Sequence, residues 1–148
     1  MLFRMIEDEL LPLAQAHNLA VMVYNPLAVG VLTGRYRQSR AMEQGTRFTI
    51  QNSGEMYQKR YWQDAMFDAV DRLAEVVEAH GQSLTEVAIA WVLSQPGVTV
   101  AILGASKPEQ LTESLRGLDA SIDDEVRAVC DDLWFTLPRE RDPFYARR

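Results

Sequence analysis

One cysteine stands in 148 residues. Alone, Cys130 forms no intramolecular disulfide and builds no multi-cysteine metal site, so it reads as a small buried apolar residue. Histidine is almost as scarce: His17 and His80 fall at the ends of helical patterns, where a cation suits the helix dipole, and neither reads as a metal ligand. Basic residues are outnumbered, 15 Lys and Arg against 21 Asp and Glu, giving a net charge of -6 and a pI near 4.9. A nucleic-acid binder normally carries a basic stripe, so nucleic acid is set aside as a partner and the acidity is read as solubility. No apolar run reaches membrane-spanning length and no leader pattern is visible. A cytoplasmic chain without a membrane partner is expected.

What is present is an ordinary globular composition, 47% hydrophobic and 24% charged. A chain of this size is one domain or a large piece of one, able to bury roughly 68–70% of its unfolded surface. Its pattern alternates between two periods. Ile6, Leu10, Leu11, Leu13 and Ala14 share a helical face, although Pro12 requires that the helix start near Asp8 or kink there. Asn18 suits the left-handed residue that ends it. Leu19 to Tyr24 is short and uniformly apolar, which predicts a buried parallel strand, stopped by Asn25-Pro26. From Val29 to Gly54 the chain loses its period and reads as a long surface excursion, functional or mobile.

Met66, Ala69, Val70, Leu73, Val76 and Val77 predict one helix from about Glu55 to Ala79, capped by Gly81. Ser83 to Glu86 is a capping box that opens a buried helix through Trp91 and Leu93. Pro96-Gly97 precedes a second strand, Val98 to Leu103. A helix from Pro108 to about Gly117 follows, then a last helix opened by Ser121-Ile-Asp-Asp124 and running to near Trp134. The tail from Pro138 reads as irregular. Trp62, Trp91 and Trp134 fall in helical patterns and are assigned to packing. The order implies parallel strands, yet two strands cannot form a sheet that hides both faces.

The stretch Gly104-Ala105-Ser106-Lys107 carries the most chemistry. A strand that ends in small residues and feeds a helix gathers unpaired N–H groups and the positive dipole end at one point, which suits a phosphate. Taken alone, such a turn is a weak signal, since packing and capping need small residues too.

A second segment raises it. Tyr24-Asn-Pro-Leu-Ala-Val-Gly-Val-Leu-Thr-Gly-Arg-Tyr36 resembles the aldo-keto reductase run that follows the seventh barrel strand. Leu103-Gly-Ala-Ser-Lys-Pro-Glu-Gln-Leu-Thr-Glu-Ser114 is similar to the phosphate site after the eighth. Ser83-Leu-Thr-Glu-Val-Ala-Ile-Ala-Trp91 resembles the helix between them. The similarity is nearest the branch that includes potassium-channel β subunits, and it covers essentially all of 1–148 as a single partial domain. It implies an α/β fold: the C-terminal portion of a (β/α)8 TIM barrel, with about two barrel strands plus helices, an incomplete barrel.

The same resemblance implies an NADP(H) site. Tyr24 matches the aromatic on the nicotinamide, and Asn25, Pro26, Leu27, Ala28 and Val29 match the loop along the pyrophosphate. Arg35 stands where the family often has Lys. Arg47 resembles an arginine that folds over the adenosine end from a cofactor loop of about 29–54. Gly104, Ala105, Ser106, Lys107 and Gln110 match the region around the 2′-phosphate. Glu113 matches an adenine contact, and Ser114 replaces the usual Asn. Carbonyl reduction in the family uses an Asp, Tyr, Lys and His from the first four strands, and no segment here matches those. No catalytic residue is therefore assigned, and inactivity in isolation is expected. The implied partners are the missing N-terminal barrel half, or a second copy through exposed edges, with a small carbonyl substrate for the complete enzyme. Two other readings stay open: a decayed fragment without function, and a non-catalytic NADPH-sensing or docking module.

Overall fold

Two short strands pair in parallel: β1, Met22–Tyr24, and β2, Val100–Ile102, with Met22 opposite Val100, Val23 opposite Ala101 and Tyr24 opposite Ile102. The structure is a computed structural model and describes residues 1–37, 41–51 and 53–138. Among these lie the helices α1 (Leu10–Ala16), α2 (Gly54–Tyr61), α3 (Asp64–Ala79), α4 (Leu84–Leu93), α5 (Pro108–Arg116) and α6 (Asp124–Thr136). The irregular tail expected from Pro138 lies almost wholly outside the described residues.

Several expectations hold. Pro12 falls in the first turn of α1, where its missing N–H leaves no gap in the helix. Asn18 is left-handed at φ 52, and Gly81 and Gly97 take φ 67 and 88 after α3 and α4. The backbone N–H of Glu86 donates to Ser83 Oγ at 3.5 Å, so that serine caps α4.

Others are corrected. The strand predicted over Leu19 to Tyr24 is shorter and open: Met22 and Tyr24 are 66% and 68% exposed, as are Val100 and Ile102 to about half. They share one face of the sheet, and nothing among the described residues covers it. The single helix expected from Glu55 to Ala79 is two. Trp62 breaks it at φ -89, ψ 67, and Gln63 is extended. The break turns the Trp62 ring into an aromatic cluster, 4.7 Å from Phe48, 5.1 Å from Tyr36 and 5.1 Å from Phe67, edge-to-face throughout. The excursion over 29–54 is correspondingly anchored. It opens with tight turns over Ala28–Thr33, and Val31, Leu32, Tyr36 and Phe48 are buried. The last helix begins at Asp124, with Asp123 rather than Ser121 at its N-cap position and no side-chain cap bond; the Ser121 carbonyl accepts from Gln82 Nε2.

The core sits on the helical side. α3 packs on α4 and α6, and α4 packs on α5 and β2. Leu73, Val77, Val87, Ile89, Val126 and Cys130 are sealed from solvent. Burial pushes the Cys130 thiol up to about 12, so it is neutral throughout the working pH range. Trp91 Nε1 donates to Asp131 Oδ1 at 2.8 Å, and the Arg4 guanidinium lies 5.1 Å over the Trp91 ring. The assignment of Trp91 to packing is thereby met with a polar anchor added.

Candidate functional site

Because the strands are parallel and Tyr24 faces Ile102, the chain leaves both at the same end of the sheet, at Asn25 and at Leu103. Parallel α/β proteins place their chemistry at this end, since loops from neighbouring strands meet there. Two motifs remote in sequence thus become neighbours.

On the β1 side the loop is held in a costly shape. Asn25, Ala28 and Val29 take φ of 58, 48 and 61, and Gly30 follows at 89. A β-branched residue in this region is strained by an amount on the order of 1–3 kcal/mol. The Asn25 side chain supports the turn: Oδ1 accepts from the Val29 N–H at 2.7 Å, and Nδ2 donates to the Tyr61 hydroxyl at 3.5 Å. Burial raises the Tyr61 phenol above its ordinary value, partly offset by the Arg60 charge, so it stays protonated. The N–H groups of Ala28 and Gly30 close onto the carbonyls of Asn25 and Leu27. Pro26 and Leu27 are half-buried, Ala28 buried, and the Tyr24 ring stands on the open face.

On the β2 side Gly104 to Gln110 are exposed. Lys107 is the extended residue before α5, Pro108 opens the helix, and the Ser106 N–H donates to Gln110 Oε1 at 2.9 Å. Across from them comes Arg47. A Cβ built on Gly104 would lie 3.3 Å from Arg47 Nη2, so the glycine lets the guanidinium lie against the backbone. An arginine from the long loop therefore lies against Gly104, three residues before the exposed Lys107 and the positive end of α5. This arrangement can hold an anion.

The remaining positions are placed differently. Arg35 is ion-paired with Glu43 at the surface and 5.9 Å from the Tyr36 ring. Glu113 accepts from Ser83 Oγ at 3.2 Å, which ties α5 to α4. Ser114 is buried and its hydroxyl donates to the Gln110 carbonyl at 2.9 Å. Three supporting residues escaped the sequence reading: Tyr61 behind Asn25, Glu43 beside Arg35, and Gln58, whose Nε2 donates to the Phe48 carbonyl at 2.6 Å just after Arg47. Each lies on another element from its partner or makes an ordinary surface pair, so no local spacing announces it. Among the described residues no group of three or more His, Cys, Asp or Glu is placed to hold a metal ion, and no helix is long and apolar enough to cross a membrane.

Parallel strands whose following loops meet at their C-terminal ends define a protein of the α/β class. The aldo/keto reductase family model matches residues 1–134, and the chain belongs to that family. Its fold is the (β/α)8 barrel, and the open, helix-flanked parallel pair is consistent with part of one. The chain is 34% identical to the aldo-keto reductase pigE of Monascus ruber, with 97% of this chain and 45% of that protein aligned. It is 32% identical to a probable voltage-gated potassium channel subunit beta of Oryza sativa subsp. japonica, over 84% of this chain and 39% of the relative. An aldo-keto reductase of Pseudocercospora fijiensis is 28% identical over 97% of this chain and 51% of its own length. The chain thus spans about half or less of the length of these curated relatives.

Proposed function

We propose that this chain is the C-terminal, cofactor-binding part of an NADPH-dependent aldo-keto reductase, a cytoplasmic oxidoreductase that reduces small carbonyl compounds. The observation that carries this reading is the approach of Arg47 to Gly104 at the start of α5, where side chains and helix dipole present positive charge to one anion. The donor set fits a phosphorylated dinucleotide. Arg47 and Lys107 would hold the 2′-phosphate, with Ser106 and Gln110 shaping the turn beneath it. Asn25 to Val29 would lie along the pyrophosphate, and Tyr24 would give the nicotinamide a flat face at the other end. When bound, the cofactor supplies the hydride for carbonyl reduction.

The chain's own contribution is to bind and orient. Positive charge at the adenosine end contributes affinity and discriminates NADPH from NADH, while the aromatic face fixes which side of the ring looks into the sheet's open side. The proton donor for the carbonyl oxygen and its activating partners are assigned to the rest of the enzyme, so the isolated chain binds weakly and does not turn over.

Titration of the purified chain with NADPH, read by cofactor fluorescence, checks this directly. Saturable binding that Arg47→Ala weakens by about tenfold is expected, as for loss of a charge-assisted contact. Absence of saturable binding by the folded chain would defeat the cofactor reading. NADPH-dependent reduction of a small aldehyde by the chain alone would defeat the assignment of catalysis elsewhere.

A further inference from the structure

The arginines of the long loop are held in two different ways. Arg35 pairs with Glu43, and Arg37 with Asp71 and Glu78, whereas among the described residues no acidic side chain pairs with Arg47. The direction of Arg47 is therefore set by its own backbone. That backbone is a turn: the Thr49 N–H donates to the Thr46 carbonyl at 2.9 Å, with Arg47 at the first corner, and Thr46 Oγ1 donates to the Glu43 carbonyl at 2.9 Å.

The turn is pinned from outside at the residue after Arg47. Phe48 is sealed from solvent, its ring edge-to-face with Tyr36 at 5.7 Å and with Trp62 at 4.7 Å. Its carbonyl accepts from Gln58 Nε2 at 2.6 Å, and a Cβ built on Gly54 would lie 2.5 Å from the same oxygen. Gly54 and Gln58 are four residues apart on α2, so one face of that helix both makes room for this carbonyl and binds it. A side chain added at position 54 would push on backbone, which cannot swing aside as a side-chain end can.

Resting on the cofactor reading above, we propose that Gln58 is a positioning residue: through the Phe48 carbonyl it holds the turn over 46–49 so that Arg47 lies against Gly104, and it thereby sets the preference for a phosphorylated dinucleotide. Gly54 is its counterpart, leaving the space that the carbonyl occupies. Neither is a ligand in this assignment, and both act through Arg47. NADH offers Arg47 no 2′-phosphate, so slackening the turn weakens NADPH and leaves NADH nearly untouched.

The first arm of the test uses the free chain without nucleotide. Nitrogen-15 relaxation at Arg47 Nε reads how tightly that side chain is held. Gln58→Met keeps chain length and helix propensity but removes the donor, and Gly54→Ala displaces the carbonyl; each should lower the Arg47 Nε order parameter and shift the Gly104 amide resonance. Gln63→Met removes a comparable 2.7 Å bond to the Lys59 carbonyl and should change neither. In the second arm NADPH and NADH are titrated into the folded variants. Gln58→Met should weaken NADPH by about three- to tenfold, leave NADH within about twofold, and add nothing when Arg47 is already alanine. An Arg47 as ordered in both variants as in the unaltered chain, equal losses for the two nucleotides, or additive losses in the double variant would overturn the proposal. Failure of the unaltered chain to bind either nucleotide defeats the cofactor reading instead, and the first arm then decides by itself whether Gln58 holds Arg47.

Discussion

The helical side and the sheet side of this molecule are built from the same kinds of residue and end in opposite states. Leu73, Val77, Val87 and Val126 sit at 0% exposure between α3, α4 and α6, while Met22, Tyr24, Val100 and Ile102 stand in solvent on β1 and β2. Apolar character is therefore no guide to burial here. What separates the two is partners: each core helix has a neighbour on its apolar stripe, whereas among the described residues the sheet has a covering on only one face. Stability comes from the first region and function is proposed for the second.

The largest expected effect breaks the comparison outright if it fails. Leu73→Ala should cost about 2–5 kcal/mol in urea denaturation of the isolated chain, since it opens a cavity in a sealed core. Met22→Ala should stay within about 0.5 kcal/mol by the same measurement, because its side chain contacts mostly water. Equal losses would mean that the sheet face is covered in solution. Next, Trp91→Phe keeps the aromatic body but removes the 2.8 Å donor to Asp131, and should cost about 1.5–3 kcal/mol in the same assay.

A smaller effect of opposite sign is expected at the strained turn. Val29 takes φ 61 beside Ala28 at 48, and Val29→Gly should raise stability by about 1 kcal/mol in thermal unfolding. If cofactor binding weakens at the same time, the strain serves the site. The smallest effect belongs to His80. The Val76 carbonyl 2.8 Å from Nδ1 raises its pKa first, and Glu125, 3.4 Å from Nε2, adds to it. Since the folded pKa is the higher, this stabilisation is complete below the unfolded value near 6.5 and fades as pH rises through the raised one. An NMR titration giving His80 a midpoint at or below 6.5 would remove it.

How far the sequence carried depended on whether its signals were local. Helix ends were legible wherever one residue type decides them, as at Asn18, Ser83 and Gly81, because cap and left-handed preferences act within a few residues. The two strand ends and the glycine turn at Gly104 were legible for the same reason. The break at Trp62 was not, since it is made by rings from Tyr36, Phe48 and Phe67 on other segments. The exposure of Met22 and Tyr24 was equally hidden: a uniformly apolar strand says that a face is to be covered, and says nothing of whether the cover is in the same chain. Arg47 was named from resemblance, but its approach to Gly104 is a tertiary fact. The pairing of Arg35 with Glu43 joins two surface residues of the same loop, and no spacing rule announces such a pair.

The central claim is that two remote loops make one phosphate site at the end of the parallel pair. Amide and arginine side-chain NMR spectra of the chain, recorded while oxidised NADP is added, test it most directly. The account predicts shifts at Ser106, Lys107 and the Arg47 guanidinium together, with NAD producing much less change at the same positions. Shifts clustered away from Gly104, or a response of Lys107 that leaves Arg47 unmoved, would contradict it.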